Sequence, residues 1–323
     1  MITVLNFLGR HATVAMALGV FIGLAVQPLA AATKPLLMPA VWALLTMSMM
    51  RLDPGAFFAI VRKPQRLGVM VIWMLMVTPV LMWVLVSDMP LSGGLIAALV
   101  LTAGSSALMS TPAIGAIMGL ESTFILAMLV STTFLLPLAL PVTALVLLGL
   151  NLEIGVIGLM VRLSTLIGSA ALGAFVLRRI IGHRRIDEGG LTLDGFAVLL
   201  LWFFAIPLMD GITARLFAEP GYMLFVTVLS FAVYVGLMLV GALVFWVIWR
   251  DNRAALSAGL TSGCRNLAII IAALPANTDP EIMTYFALAQ FPIYIMPLLT
   301  KPVVERYLRS CAALPISDAG GPT

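Results

Sequence analysis

The chain has 323 residues, of which 62% are hydrophobic and 10% charged, with a formal net charge of +4. That balance excludes a soluble domain and a nucleic-acid-binding surface. It fits a polytopic helical membrane protein with basic residues in the loops on one side of the bilayer. Two cysteines and two histidines supply no disulfide framework, no metal-ligand cluster and no histidine relay.

A membrane span takes about 20 apolar residues. Ten such segments follow one another at about 11–28, 35–50, 66–86, 92–118, 121–149, 154–180, 190–214, 221–249, 253–275 and 282–304. The first also has the marks of a cleaved leader: Arg10 precedes its apolar run and Leu29-Ala-Ala-Ala32 follows it. The pairing of segments set out below favours a retained helix. Charged or turn-forming stretches separate the segments: Arg51-Leu-Asp-Pro54, Ser87-Asp-Met-Pro90, Asn151-Leu-Glu153, Arg178 to Glu188, Glu219-Pro-Gly221, Arg250-Asp-Asn-Arg253 and Asn277-Thr-Asp-Pro280.

With ten spans and a cytoplasmic N-terminus, the inner regions hold Arg10, Arg51, Arg62, Lys63, Arg66, Arg178, Arg179, Arg184, Arg185, Arg250, Arg253, Lys301, Arg306 and Arg309. The outer loops hold Lys34, Asp88, Glu153, Arg215, Glu219, Asp279 and Glu281. This segregation is what the positive-inside rule asks for, with both termini on the cytoplasmic side of the plasma (inner) membrane. The expected fold class is therefore all-α, one transmembrane unit over 1–310 embedded in the lipid bilayer, with a short cytoplasmic tail at 311–323. Its halves, about 1–150 and 151–310, have five spans each, an odd number, so they are inverted relative to one another.

Two segments carry polar residues where a span should be hydrocarbon. The fourth contains Ala103-Gly-Ser-Ser-Ala-Leu-Met-Ser-Thr-Pro112, and the ninth contains Ala258-Gly-Leu-Thr-Ser-Gly-Cys-Arg-Asn-Leu-Ala268. Both are expected to be broken helices, with Gly104, Pro112 and Gly263 permitting or forcing the breaks. Each is followed by a segment with two prolines, Pro137 and Pro141 in one case and Pro292 and Pro297 in the other. Paired broken helices in inverted halves form the binding site of many secondary transporters. The expected substrate-binding residues are Ser105, Ser106, Ser110, Thr111, Thr261, Ser262, Arg265 and Asn266. Individually, each serine or threonine also reads as a helix-packing or backbone-capping residue.

Arg265 is the most costly residue to place, because a charge at mid-membrane must face a cavity or a partner. It reads either as a direct ligand for a carboxylate or sulfonate or as a brace donating to backbone carbonyls freed by the breaks. Arg162 and Asp210 lie in adjacent segments and read as an ion pair, or else Arg162 faces a cavity. Arg215 is expected to reach the outer interface. Cys264, a lone thiol, reads as a small buried hydrophobe. The sequence shows no catalytic set, no paired intramembrane carboxylates, no cofactor motif and no metal site, and it does not specify an oligomeric state.

Three stretches together resemble the sodium/bile-acid symporter family. They are Leu45 to Phe57 with Arg62-Lys-Pro-Gln65 and Thr78-Pro79; Ala103 to Gly119 with Ser131-Thr132 and Pro137; and Ser262-Gly-Cys-Arg-Asn266. The resemblance implies ten helices, with helices 1, 2, 6 and 7 forming a panel and the others a core in which broken helices 4 and 9 cross. It also implies alternating access for bile-acid-like carboxylates or sulfonates carried with sodium. The family's sodium ligands are replaced here. A helix 4 serine and asparagine fall on Ser110 and Thr111, and two helix 5 hydroxyl residues on Phe124 and Met128. A helix 9 glutamate falls on Thr261, a helix 9 glutamine on Arg265, and a helix 3 glutamine on Met74. A hard cation wants oxygen ligands. The expectation is a transporter of a small organic anion without sodium coupling. Its rivals are a membrane protein that binds a ligand without carrying it and a sodium-coupled symporter.

Overall fold

A computed structural model describes residues 2–50, 64–149, 155–182, 185–186, 189–275 and 277–313. The predicted loops around Arg51–Lys63, Asn151–Glu153, His183–Arg184 and Asp187–Glu188 lie outside the described residues, as do the tail from 314 and the Cys311 side chain.

The described residues form helices and no strand. They are α1 (Ile2–Arg10), α2 (Ala12–Ala25), α3 (Gln27–Thr33), α4 (Leu37–Met50), α5 (Pro64–Ile72), a π turn (Trp73–Val77), α6 (Thr78–Val86), α7 (Gly93–Ala103), α8 (Thr111–Ile117) and α9 (Ser122–Leu148). After these come α10 (Gly155–Ile181), α11 (Gly190–Leu208), α12 (Ile212–Ala218), α13 (Pro220–Trp249), α14 (Asn252–Gly263), α15 (Leu267–Ala273), α16 (Pro280–Leu288) and α17 (Gln290–Ala313). Seven helical stretches are long and apolar enough to cross a membrane: Gln27–Met50, Gln65–Val86, Ser122–Leu148, Gly155–Ile181, Gly190–Leu208, Pro220–Trp249 and Pro280–Ser310.

The first, fourth and ninth expected segments are not among these seven, and of the boundaries that differ from expectation two affect the packing. The second segment begins at Gln27 rather than 35, because α3 runs through a single 3-10 turn at Lys34–Leu36 into α4. The seventh ends at Leu208 rather than 214, because Gly211 turns the chain with φ +77 before α12. The longer second segment brings Lys34 Nζ to 3.0 Å from Asp210 Oδ2. Asp210 therefore pairs with Lys34 and not with the expected Arg162, which is exposed on α10.

Two sets of helices stand out, and they also touch one another where α9 packs along α10 and α17 along α2. α11 packs along α1, α2, α3 and α4, and α10 packs along α4. Separately, α13 packs along α14, α6 and α16 against α7, and α8 against α9. One apolar core joins the sets, with Leu45, Leu99, Leu136, Leu163, Phe204, Ile270 and Phe286 all buried in it.

Small residues set the closest approaches, since lipid offers little hydrophobic drive and packing must hold the helices. A Cβ on Gly195 would lie 1.9 Å from the Leu5 carbonyl oxygen, and one on Gly9 would lie 2.3 Å from that of Leu191. Gly19 and Gly23, one turn apart on α2, face Trp202 and Ile206 in the same way. The Trp202 indole N–H donates to Ala15 O at 2.6 Å. The first apolar segment is thus packed closely against α11 in the structure. Gly195→Val should lower the apparent unfolding temperature in detergent, since overpacking costs about 1–3 kcal/mol. Gly168→Ala, where an added Cβ meets nothing within 4 Å, should not lower it.

Candidate functional site

The two polar interruptions meet. α7 ends at Ala103 and α8 starts at Thr111; α14 ends at Gly263 and α15 starts at Leu267. Between these ends the chains pair as a short antiparallel bridge, Ala107 opposite Arg265. Leu108 N donates to Cys264 O and Asn266 N to Ser106 O, both at 2.9 Å. Ala107 N turns the other way and donates to Thr132 Oγ1 of α9 at 3.2 Å. Unwound backbone inside a bilayer must find such partners, and here each break supplies them to the other.

Arg265 is 1% exposed and sits on this bridge. Its Nε donates to Ser262 O at 2.7 Å, and its Nη1 to Ser105 O at 2.8 Å and Met74 O at 3.2 Å. Its Nη2 donates to Thr78 Oγ1 at 3.0 Å. Four of the five guanidinium N–H groups are therefore placed on three helical segments. Each carbonyl is free for a local reason. Ser262 is in the last turn of α14, and Ser105 lies past the end of α7. Met74 lies in the π turn, where the Thr78 N–H reaches back to Trp73 O. The next residue in that register is Pro79, which has no N–H to give. The single Thr78 Oγ1 proton has two acceptors in reach, Met74 O at 2.9 Å and Ala103 O at 2.8 Å.

The remaining expected residues divide. Ser105 Oγ donates to Thr102 O, Thr261 Oγ1 to Ser257 O and Ser262 Oγ to Ala258 O, so all three hydroxyls serve their own helices. Ser262 Oγ also accepts the Trp73 indole N–H at 3.0 Å. Ser110 precedes α8 and is half-buried, while Pro112 lies in the first turn of α8. Ser106 Oγ, Thr111 Oγ1 and Asn266 Nδ2 are buried with no hydrogen-bond partner, as is Thr133 Oγ1 on α9. The Thr111 hydroxyl lies beside the Cys264 thiol without a well-formed bond. Cys264 is buried against Tyr234 Oη at 2.8 Å, as a small core residue.

The glycines play roles other than those expected. Gly104 has φ −86 and ψ 1, open to any residue, and nothing presses on it closer than 3.5 Å. Gly263 is required for contact: a Cβ there would meet Met238 Cβ and Tyr234 O, each at 2.9 Å. Gly259, one turn earlier, would meet Ala242 Cβ at 2.6 Å. The Gly259-x-x-x-Gly263 spacing was the available signal for this tight α13–α14 packing. Thr78-Pro79, Trp73 and Thr132 also belong to the site as positioning residues. A threonine-proline pair inside an apolar run was the signal for the first.

Two small cavities flank the crossing. One of about 20 Å³ lies between Thr102, Ser230, Tyr234, Arg265 and Tyr285, with room for a water molecule. The other, about 10 Å³, lies between Ser48 and Met49 of α4, Met109, and Thr133 of α9. Both are too small for an organic anion. Among the described residues no group of three or more His, Cys, Asp or Glu could hold a metal.

No family model matches the chain, and no curated protein matches it at a significant level.

Removing the guanidinium leaves buried carbonyls unpaired, at about 1–3 kcal/mol for each such group. Arg265→Met should lower the apparent unfolding temperature by roughly 5–10 °C, and Thr78→Val should lower it by less. An Arg265→Met protein as stable as the parent would contradict the bracing geometry.

Proposed function

We propose that the chain is a secondary transporter of a small organic anion, working by alternating access and without sodium coupling. The observation that carries this reading is a fixed, buried positive charge, Arg265, at the crossing of two broken helices. The charge is solvated by neutral oxygens, and no carboxylate is among its partners. In a low-dielectric interior such a charge favours an approaching anion even without direct contact. Ser106, Thr111 and Asn266 then offer unpartnered polar atoms to its carboxylate or sulfonate group.

The same geometry argues against a sodium ion. The carbonyls of Ser105, Ser262 and Met74 already hold the guanidinium. Thr261 Oγ1 faces its own helix, and the side chains of Phe124 and Met128 offer no oxygen.

The reading takes the ten segments as two inverted sets of five, with the fourth and ninth broken, as in the sodium/bile-acid symporter family that the sequence resembles. α1–α4, α10 and α11 form the panel, and α5–α9 with α13–α17 form the core. Side-chain partners support the sidedness. Arg66 and Asp251, both assigned to the cytoplasmic side, lie 3.8 Å apart, and Lys34 and Asp210 meet on the opposite side.

The test is uptake into proteoliposomes, with substrates first found by a thermal-shift screen against organic anions. Uptake should be unchanged when sodium is replaced by choline. A strict sodium requirement would overturn the coupling assignment. Binding without any flux across sealed vesicles would favour a ligand-binding membrane protein instead.

A further inference from the structure

The outer ends of the two helix sets are joined by α12, a seven-residue helix linking α11 to α13. Its first half is moored to the panel. Gly211 N donates to Gln27 Oε1 at 3.1 Å, Gln27 Nε2 donates to Thr213 Oγ1 at 2.7 Å, and Thr213 Oγ1 donates to Leu24 O at 2.7 Å. Its second half faces the core: Arg215 Nη1 donates to Thr284 Oγ1 of α16 at 2.5 Å. At Glu219, with φ −134 and ψ 59, the chain bends into α13.

The core end to which Thr284 belongs is itself tied together. Glu281 accepts from Ser92 Oγ, which caps α7, and from Tyr222 Oη of α13 at 3.4 Å. Asp279 caps α16 by accepting Glu281 N at 2.8 Å. Its carboxylate also presses on the first turn of α7, where a Cβ on Gly94 would lie 2.5 Å from Oδ2. The first turns of α7, α13 and α16 are therefore tied to one another. Arg215–Thr284 bridges that core end and the panel-moored strap. Below it, Phe21 of α2 and Phe291 of α17 meet edge to face across the same seam, with ring centroids 5.8 Å apart.

We infer that α12 is a strap between panel and core, and that the Arg215–Thr284 bond is the latch holding the outer seam shut. The inference rests on the alternating-access reading for its purpose, and on the observed bonds for its geometry. Opening the seam moves the core end away from the strap and breaks this bond, while the Gln27–Thr213 mooring stays intact.

The test uses Phe291→Cys in full-length protein with Cys264 and Cys311 replaced by alanine, in sealed vesicles, labelled from outside with a membrane-impermeant maleimide. Arg215→Ala and Thr284→Val should each raise the labelling rate several-fold, and Arg215→Lys, which keeps a donor, should stay near the parent. Parent-like rates in both Arg215→Ala and Thr284→Val, with both proteins folded, would overturn the latch. Thr284→Val is nearly isosteric and keeps the test decisive if Arg215→Ala is unstable. Faster labelling in a protein that carries no anion would leave the latch standing and remove the transport reading. Anion uptake with unchanged labelling would remove the latch alone.

Discussion

The structure depends on how one guanidinium satisfies unwound backbone in an apolar interior. Two helices break at the same place inside an apolar interior, where exposed N–H and C=O groups must find partners. The bridge between Ser106–Leu108 and Cys264–Asn266 satisfies two pairs of them. Arg265 collects carbonyls that the bridge leaves over, and it adds one from a third segment through the π turn before Pro79. A charge in that position is costly on its own, and the oxygens are costly on their own. Together they offset one another, which ties the crossing of α7–α8 and α14–α15 to α5–α6.

The packing around the crossing follows from it. Gly259 and Gly263 let α13 lie against α14 closely enough for Tyr234 to reach Cys264. Trp73, on the π turn, holds Ser262 from the other side and stacks edge-on against Phe245 at 5.7 Å. The Thr132 hydroxyl on α9 closes off Ala107 N. The polar atoms left without partners, on Ser106, Thr111, Thr133 and Asn266, are therefore exceptions in an otherwise satisfied region. Buried orphans of this kind call for a partner such as a water, an ion or a ligand.

Much of this was legible in the sequence where polarity contradicts its surroundings. Both breaks were visible because Ser105, Ser106, Ser262, Arg265 and Asn266 stand in apolar runs. The role of Arg265 as a brace was one of two readings, since a sequence shows a charge but not which carbonyls surround it. The partner of Asp210 was misassigned. Adjacent segments suggested Arg162, but α3 continues the second helix outward and delivers Lys34. Gly263 read as a flexible break point, whereas its need is steric, set by Tyr234 and Met238 of the preceding helix α13. The free carbonyl of Met74 arises from a helix register and a missing proline N–H, and no side-chain chemistry at position 74 announces it.

The central claim is that Arg265 acts as a built-in cation for the oxygens of Ser262, Ser105, Met74 and Thr78. The most direct measurement is thermal unfolding of Arg265→Gln in graded sodium chloride against choline chloride. Removing the fixed charge leaves a cluster of hard oxygen ligands. The variant should be less stable than the parent in choline, and sodium should restore part of the loss while leaving the parent unaffected. Parent-like stability of Arg265→Gln, or a parent protein itself stabilised by sodium over choline, would contradict it.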